Sequence, residues 1–204
     1  MDALIQQAVS GMRANGFEVA EVRTAMEARD YLLAHIAPGK SVGVGGSVSV
    51  RDTGVLPALE QQGCKVYTSW GAKPEDIPTI RQNSRTADVY LCSANAVTRA
   101  GKLVLVDGLG NRVGAVCDGP REVFFVISHS KVVDGGINTA VARIKKTACP
   151  QNTRRLGIDT PCAHTGNCGG DACENSICRL TLTVDRVPRN RKMTVVFVEE
   201  ALGY

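Results

Sequence analysis

Five cysteines crowd the last third of the chain, and their residue type and spacing predict a metal site. In a flexible, glycine-rich frame, closely spaced thiolates can surround a zinc ion or the corners of an iron–sulfur cluster. The candidate ligands are Cys162, Cys168, Cys173 and Cys178, with Cys149 and His164 as additional candidates. The spacing matches neither the paired C-x-x-C motifs of zinc ribbons nor the C-x-x-C-x-x-C run of ferredoxins. The spacing therefore leaves the identity of the bound group open between an iron–sulfur cluster, such as 4Fe–4S, and zinc. The alternative is a loop of free thiols that binds no metal.

A reducing compartment is consistent with metal-binding cysteines. The chain has eight cysteines, but no apolar signal-peptide core follows Met1 and no apolar stretch is long enough to cross a membrane. We therefore expect a cytoplasmic protein that does not enter the membrane and whose thiols are not paired in disulfides.

A glycine- and serine-rich turn is the first candidate ligand site. The run from Gly43 to Ser49 follows an apolar strand and precedes a helix, where unpaired N–H groups favour an anion. The residues expected to bind it are Gly45, Gly46, Ser47 and Ser49. The run is not a dinucleotide fingerprint, because Val48 takes the place of the third glycine. The alternative is a tight turn in which Ser47 only caps the helix.

A second polar cluster brackets a turn in an otherwise apolar region. It contains Asn95, Thr98, Asp107, Gly108, Asn111 and Arg112. Asp107 could orient a ligand hydroxyl or Arg112, and Arg112 could hold a carboxylate through two parallel hydrogen bonds. Turn chemistry alone is the alternative explanation.

Positive charge is concentrated late in the chain, within a net charge of +4. Such a surface suits a small anionic metabolite or an acidic partner, although a solvated face would look the same. Nucleic acid is not expected as a partner, because aromatic residues make up only 4% of the sequence.

Strands and helices alternate along the first half of the chain. Strands are predicted at 41–44, 65–69 and 89–93, and helices at 48–62 and 74–85. This alternation predicts an α/β fold with an open, mostly parallel sheet flanked by helices. Further strands are predicted at 103–106, 113–117 and 123–127, the first two joined as an antiparallel hairpin.

The last third is predicted to combine a helix, a cysteine-rich segment and two strands. The helix spans 134–148 and ends at Pro150, and residues 151–176 lack periodicity. The strands at 179–187 and 194–199 are expected to close an edge of the sheet. We expect residues 1–148 to form an α/β domain that residues 149–204 complete.

Several motifs together resemble those of the lactate-utilisation (LUD) domain family. They are the stretch from Ser93 to Val113, Gly119-Pro120, Val123 to Lys131, Ala140-x-x-Arg143, Pro150-x-Asn152 and Thr160-Pro-Cys162. The resemblance implies a fold similar to the ribose-5-phosphate isomerase (NagB/RpiA) and coenzyme A transferase group. It also implies an oxidoreductase component that acts beside iron–sulfur partner proteins in the oxidation of L-lactate or a related hydroxy acid. A homodimer is expected by default.

Two other functional classes stay open. One is a self-sufficient isomerase, transferase or cyclo-ligase acting on a sugar phosphate, acyl-CoA or folate, with Asp107, Asp118 or Glu122 as its carboxylate. The other is a non-catalytic assembly subunit.

Overall fold

The main sheet of the protein has six parallel strands. A computed structural model describes residues 2–204, and its main sheet has the strand order β1-β10-β7-β4-β2-β3. These strands are β1 (Glu18–Val22), β2 (Ser41–Val44), β3 (Lys65–Tyr67), β4 (Val89–Cys92), β7 (Glu122–Ser128) and β10 (Lys192–Val198). Strands β4, β7 and β10 are buried almost throughout, as expected for a parallel sheet covered on both faces.

A smaller mixed sheet lies beside the main one. Its strands are β5 (Ala96–Thr98), β6 (Leu103–Asp107), β8 (Val132–Val133) and β9 (Leu180–Val184). The order is β8-β5-β6-β9, with β6 antiparallel to both neighbours and β5 parallel to β8. The predicted α/β class, with a mostly parallel sheet and antiparallel strands beside it, is confirmed.

Nine α-helices occur within residues 2–204. They are α1 (Ala3–Ala14), α2 (Ala25–His35), α3 (Val48–Asp52), α4 (Val55–Gln61), α5 (Ile77–Arg85), α6 (Asn111–Asp118), α7 (Ile137–Arg143), α8 (Cys149–Leu156) and α9 (Pro161–Thr165). Apolar clusters fill both faces of the main sheet, and a third lies between the small sheet and α7 to α9. None of the helices described is long and apolar enough to cross a membrane.

Three predicted elements differ from the structure in the first two thirds of the chain. The single helix predicted at 48–62 is two helices, because Gly54 takes a φ of +70° between α3 and α4. Residues 113–117 lie in α6 and not in a strand, so residues 107–111 connect a strand to a helix and form no hairpin. A short apolar run is compatible with both a strand and a helix, and here Ala115 and Val116 form the buried side of a helix.

The last third is more ordered than predicted. Instead of ending at Pro150, the helix continues from α7 through a π-helical turn, Ile144–Ala148, into α8. Proline is tolerated there because it occupies the first turn of α8. Strand β10 lies inside the main sheet between β1 and β7, so the prediction that it closes an edge is wrong.

Candidate functional site

A cleft of about 680 Å³ opens at the carboxyl ends of three neighbouring strands. Strands β7, β4 and β2 lie side by side and run in the same direction, so the residues after each strand meet at one edge. The turn after β2 supplies Ser47 and Ser49, the segment after β4 supplies Ser93, and the turn after β7 supplies Lys131. Ligands of open α/β sheets bind at this edge.

Most of the residues predicted to bind a ligand line the cleft. These are Gly46, Ser47, Ser49, Asn95, Asp107, Asn111 and Arg112. Gly45 lies behind them and donates its N–H to the carbonyl of Leu91 at 3.1 Å. The two polar regions separated by more than forty residues in the sequence therefore face a single cavity.

The two serines of the glycine-rich turn have different environments. The Ser47 hydroxyl accepts from the N–H of Val50 at 3.3 Å, which makes it the N-cap of α3. The Ser49 hydroxyl donates to the carbonyl of Leu202 at 3.3 Å and accepts from Lys131 Nζ at 2.7 Å. Ser49 thus connects the turn to a buried amine.

Lys131 is a cleft residue that the sequence analysis missed. Its side chain is 3% exposed, and Nζ donates to the hydroxyls of Ser49 and Ser93 at 2.7 and 3.1 Å. Burial, assisted by the positive charges of Arg143 and Arg112, lowers the pKa of Lys131 to about 7. A charged residue three positions after the buried strand β7 was the available signal, but its partners come from distant segments.

Arg112 holds the wall of the cleft together. Its guanidinium donates to Asp107 Oδ1 at 2.9 and 3.1 Å, to Asn95 Oδ1 at 2.7 Å, and to the carbonyls of Ser93 and Val106 at 2.8 and 2.7 Å. The Arg112 and Asp107 side chains are only 13% and 9% exposed. Arg112 therefore clamps β6 to the segment between β4 and β5, and most of its N–H groups point at protein acceptors.

Asp107 and Asn95 also have structural partners. Asp107 Oδ2 accepts from the N–H of Val113 at 2.9 Å, which anchors the first turn of α6. Asn95 Oδ1 accepts from the N–H of Val106 at 2.9 Å. Asn111, the first residue of α6, lines the cleft beside them. This cluster shapes the cleft wall through bonds within the protein.

The cleft carries an excess of positive charge. Among the described residues, its lining has one acidic side chain, that of Asp107, and six cationic side chains: Arg81, Arg85, Arg112, Lys131, Arg155 and Arg179. Asp107 is already paired with Arg112. A cleft that focuses positive charge in this way attracts anions.

Trp70, the chain's single tryptophan, also lines the cleft. The guanidinium groups of Arg51 and Arg155 both lie over its ring, at 4.5 and 4.9 Å from the ring centroid. Cation–π contacts of this kind hold Arg155 in place at the cleft. Trp70 is consequently a built-in fluorescence reporter of what enters the cleft.

The five late cysteines line a second cavity of about 240 Å³, which we call the cysteine chamber. Its cysteines are Cys149, Cys162, Cys168, Cys173 and Cys178. Cys149, Ser176 and Ile177 line both this chamber and the cleft, so the two cavities adjoin. The elements that bring the thiols together are α8, α9 and the turns leading into β9.

The thiols surround the chamber without meeting at a single point. Within residues 2–204, no three Cys, His, Asp or Glu side chains are arranged closely enough to hold one metal ion. The Sγ atoms of Cys149 and Cys178 lie 3.1 Å apart. The hydrogen bond between the two thiols lowers the pKa of Cys178, against the opposing effect of burial. The same bond raises the pKa of Cys149, and burial raises it further. The donor set, all soft thiolates, matches zinc or an iron–sulfur cluster in chemical type.

His164 does not line the cysteine chamber. Its Nε2 lies 2.6 Å from Asp159 Oδ1, and its side chain is mostly exposed. The carboxylates considered for isomerase-type chemistry are also spread out. Asp107 is bonded to Arg112, the Asp118 side chain is fully exposed, and Glu122 begins β7 at the opposite end from the cleft.

Comparison with known proteins identifies the family. The model of the LUD domain matches residues 5–198. A crystal structure of a DUF162 family protein from Deinococcus radiodurans is similar to this one, with a TM-score of 0.55 and 12% identity over 96% of each chain. At that identity the likeness shows a shared fold. A search of curated proteins gave no match. Because the family model covers nearly the whole sequence, the chain belongs to the LUD domain family.

Proposed function

We propose that this protein is a lactate-utilisation-type component that binds a small organic anion in the cleft and holds an iron–sulfur cluster or a metal ion in the adjoining cysteine chamber. The observation that carries the proposal is the shared wall: Cys149, Ser176 and Ile177 border both cavities. A group held by the thiols would therefore lie next to the bound anion. The process served would be oxidation of L-lactate or a related hydroxy acid, with iron–sulfur proteins as partners.

The charge of the cleft supports an anionic ligand. Arg81, Arg85, Arg155 and Arg179 line it without a carboxylate partner at ion-pair distance among the described residues. Arginine binds carboxylate and phosphate groups through two parallel hydrogen bonds. The volume, about 680 Å³, is that of a typical small-molecule site.

The donor set of the cysteine chamber supports a thiolate-bound group. The residues that would hold it are Cys162, Cys168, Cys173 and Cys178, with Cys149 at the wall shared with the cleft. When bound, an iron–sulfur cluster accepts and passes on electrons, whereas a zinc ion would pin α8 and α9 to the segment that follows them. An electron-transfer role favours the cluster, with 4Fe–4S as its leading form and zinc as the alternative.

Titration of Trp70 fluorescence tests the anion site. L-lactate, pyruvate and inorganic phosphate are added to the wild-type protein, and we expect a saturable change with at least one of them. Arg81→Gln should weaken that binding several-fold, because Arg81 lines the cleft. Arg23→Gln is the matched control, since Arg23 is exposed and lies outside the cleft. An unsaturable response, or equal effects of both variants, would contradict the anion site.

A further inference from the structure

Lys131 has a setting that anion binding alone does not explain. The cleft already has four more exposed arginines, yet this lysine is buried, with only 3% of its surface exposed. Burying an ammonium group is costly unless a carboxylate compensates it. A buried amine in a cleft of a protein that binds small molecules is a candidate reactive group.

The partners of Lys131 are oxygen atoms without a negative charge. Nζ contacts the Ser49 and Ser93 hydroxyls and, at 3.5 Å, the carbonyl of Ala94. The nearby carboxylate of Asp52 is paired with Arg51 at 3.6 Å. Both hydroxyls accept from Nζ while they donate to backbone carbonyls, Ser49 to that of Leu202 and Ser93 to that of Ala94. A neutral amine is accommodated when one hydroxyl turns from its carbonyl and donates to Nζ instead.

The charged groups around Lys131 favour its neutral form. Arg112 on α6 and Arg143 on the α7 side both repel the protonated amine, and Asp52 on α3 is the counteracting acid. Burial is the main cause that lowers the pKa of Lys131 to about 7, and the two arginines add to it against the opposing charge of Asp52. Lysines that attack carbonyl groups are activated in this way, by desolvation and by a neighbouring cation.

We propose that Lys131 is a nucleophile that forms an imine with a small carbonyl compound carrying an anionic group, such as a 2-oxo acid. The amine nitrogen bonds to the carbonyl carbon, and the carbonyl oxygen leaves as water after taking up two protons, both of which come from the nitrogen. The C=N bond replaces C=O without an oxidant or a reductant. Ser49 and Ser93 lie where their hydroxyls can relay the protons, and the four more exposed arginines receive the anionic group. Only the choice of an anionic carbonyl rests on the proposed function.

Reductive trapping tests the imine. Wild-type protein is incubated at pH 7.5 with limiting glyoxylate or pyruvate and sodium cyanoborohydride, and the modified lysine is located by peptide mass spectrometry. We expect Lys131 to be modified at least about tenfold faster than exposed lysines, because a lysine amine in water is almost fully protonated at this pH. Labelling spread evenly over the lysines would overturn the proposal.

Two variants and a second carbonyl compound distinguish a wrong imine proposal from misfolding and from a wrong anion site. Lys131→Met should abolish the dominant adduct, whereas Lys73→Met should keep it, because Lys73 is exposed and outside the cleft. The neutral carbonyl propanal should label Lys131 more slowly than glyoxylate does. If Lys131→Met folds poorly, the position of the adduct in the wild-type protein still shows whether Lys131 forms the imine. Trp70 fluorescence measures anion binding independently, so binding without a Lys131 adduct overturns the imine alone.

Discussion

Replacing Arg112 with methionine should destabilise the protein strongly, because this change leaves buried acceptors without their donors. Asp107 would remain as a carboxylate that is 9% exposed and has lost its ion pair. Breaking a buried pair in this way costs about 3–5 kcal/mol. Asn95 Oδ1 keeps the N–H of Val106, but the carbonyl of Ser93 loses a bond of 2.8 Å. We therefore expect a loss of roughly 3–5 kcal/mol in the free energy of unfolding.

Urea unfolding, monitored by Trp70 fluorescence, measures this loss. The double variant Asp107→Asn and Arg112→Met should recover at least about 1.5 kcal/mol relative to the sum of the single variants, because the uncompensated charge is gone. Arg121→Met is the control; Arg121 is exposed, so its change should stay within about 0.5 kcal/mol. If Arg112→Met cost less than about 1 kcal/mol, Arg112 would not be a structural clamp, and its role would have to be sought in ligand binding.

Two further predictions concern the floor of the cleft. Because the folded-state pKa of Lys131 is lowered from 10.5 to about 7, the unfolded chain binds more protons between these values, so stability rises with pH there. Relative to Lys131→Met, the unfolding free energy of the wild type should increase by up to about 1.4 kcal/mol per pH unit from pH 7.5 to 9.5. If the unfolding free energies of the two proteins changed with pH in parallel, the lowered pKa would be refuted. Gly203 has a φ of +61°, and a methyl group on it would clash with Ser49 and lie near Lys131 Nζ, so Gly203→Ala should lower the melting temperature and weaken anion binding. Gly39→Ala is the control, because Gly39 has a φ of +82° but nothing near it, so this variant introduces backbone strain without a clash. Equal effects of the two variants on anion binding would contradict a clash at Ser49 and Lys131.

The parallel α/β core could be predicted because its signals are local. Strands β2 and β4 are short apolar runs bounded by turn residues, and helix α3 follows β2 after a short turn. The glycine-serine turn could also be placed, since parallel strands bring such turns to one edge. The prediction of a strand at residues 113–117 is wrong because a run of five apolar or small residues is too short to distinguish the periodicity of a strand from that of a helix.

The complete site could not be predicted because its contacts join distant segments. Lys131 meets Ser49 across 82 positions and Ser93 across 38. Continuation of the helix beyond Pro150 depends on a π-helical turn, which no composition signal indicates. The spacing of the cysteines indicates a common site. That this site is a chamber adjoining the cleft follows from the packing of α8 and α9, which the spacing does not reveal.

Metal analysis of protein purified without oxygen tests the central claim most directly. Iron, acid-labile sulfide and zinc are measured per chain, with an absorbance spectrum, in the wild-type protein and in two variants. Cys168→Ala removes an exposed thiol of the cysteine chamber, and Cys117→Ala removes an exposed thiol outside it. The proposal predicts iron and sulfide with broad visible absorption, or stoichiometric zinc, reduced in Cys168→Ala and retained in Cys117→Ala. Folded wild-type protein without metal, or equal metal content in both variants, would contradict it.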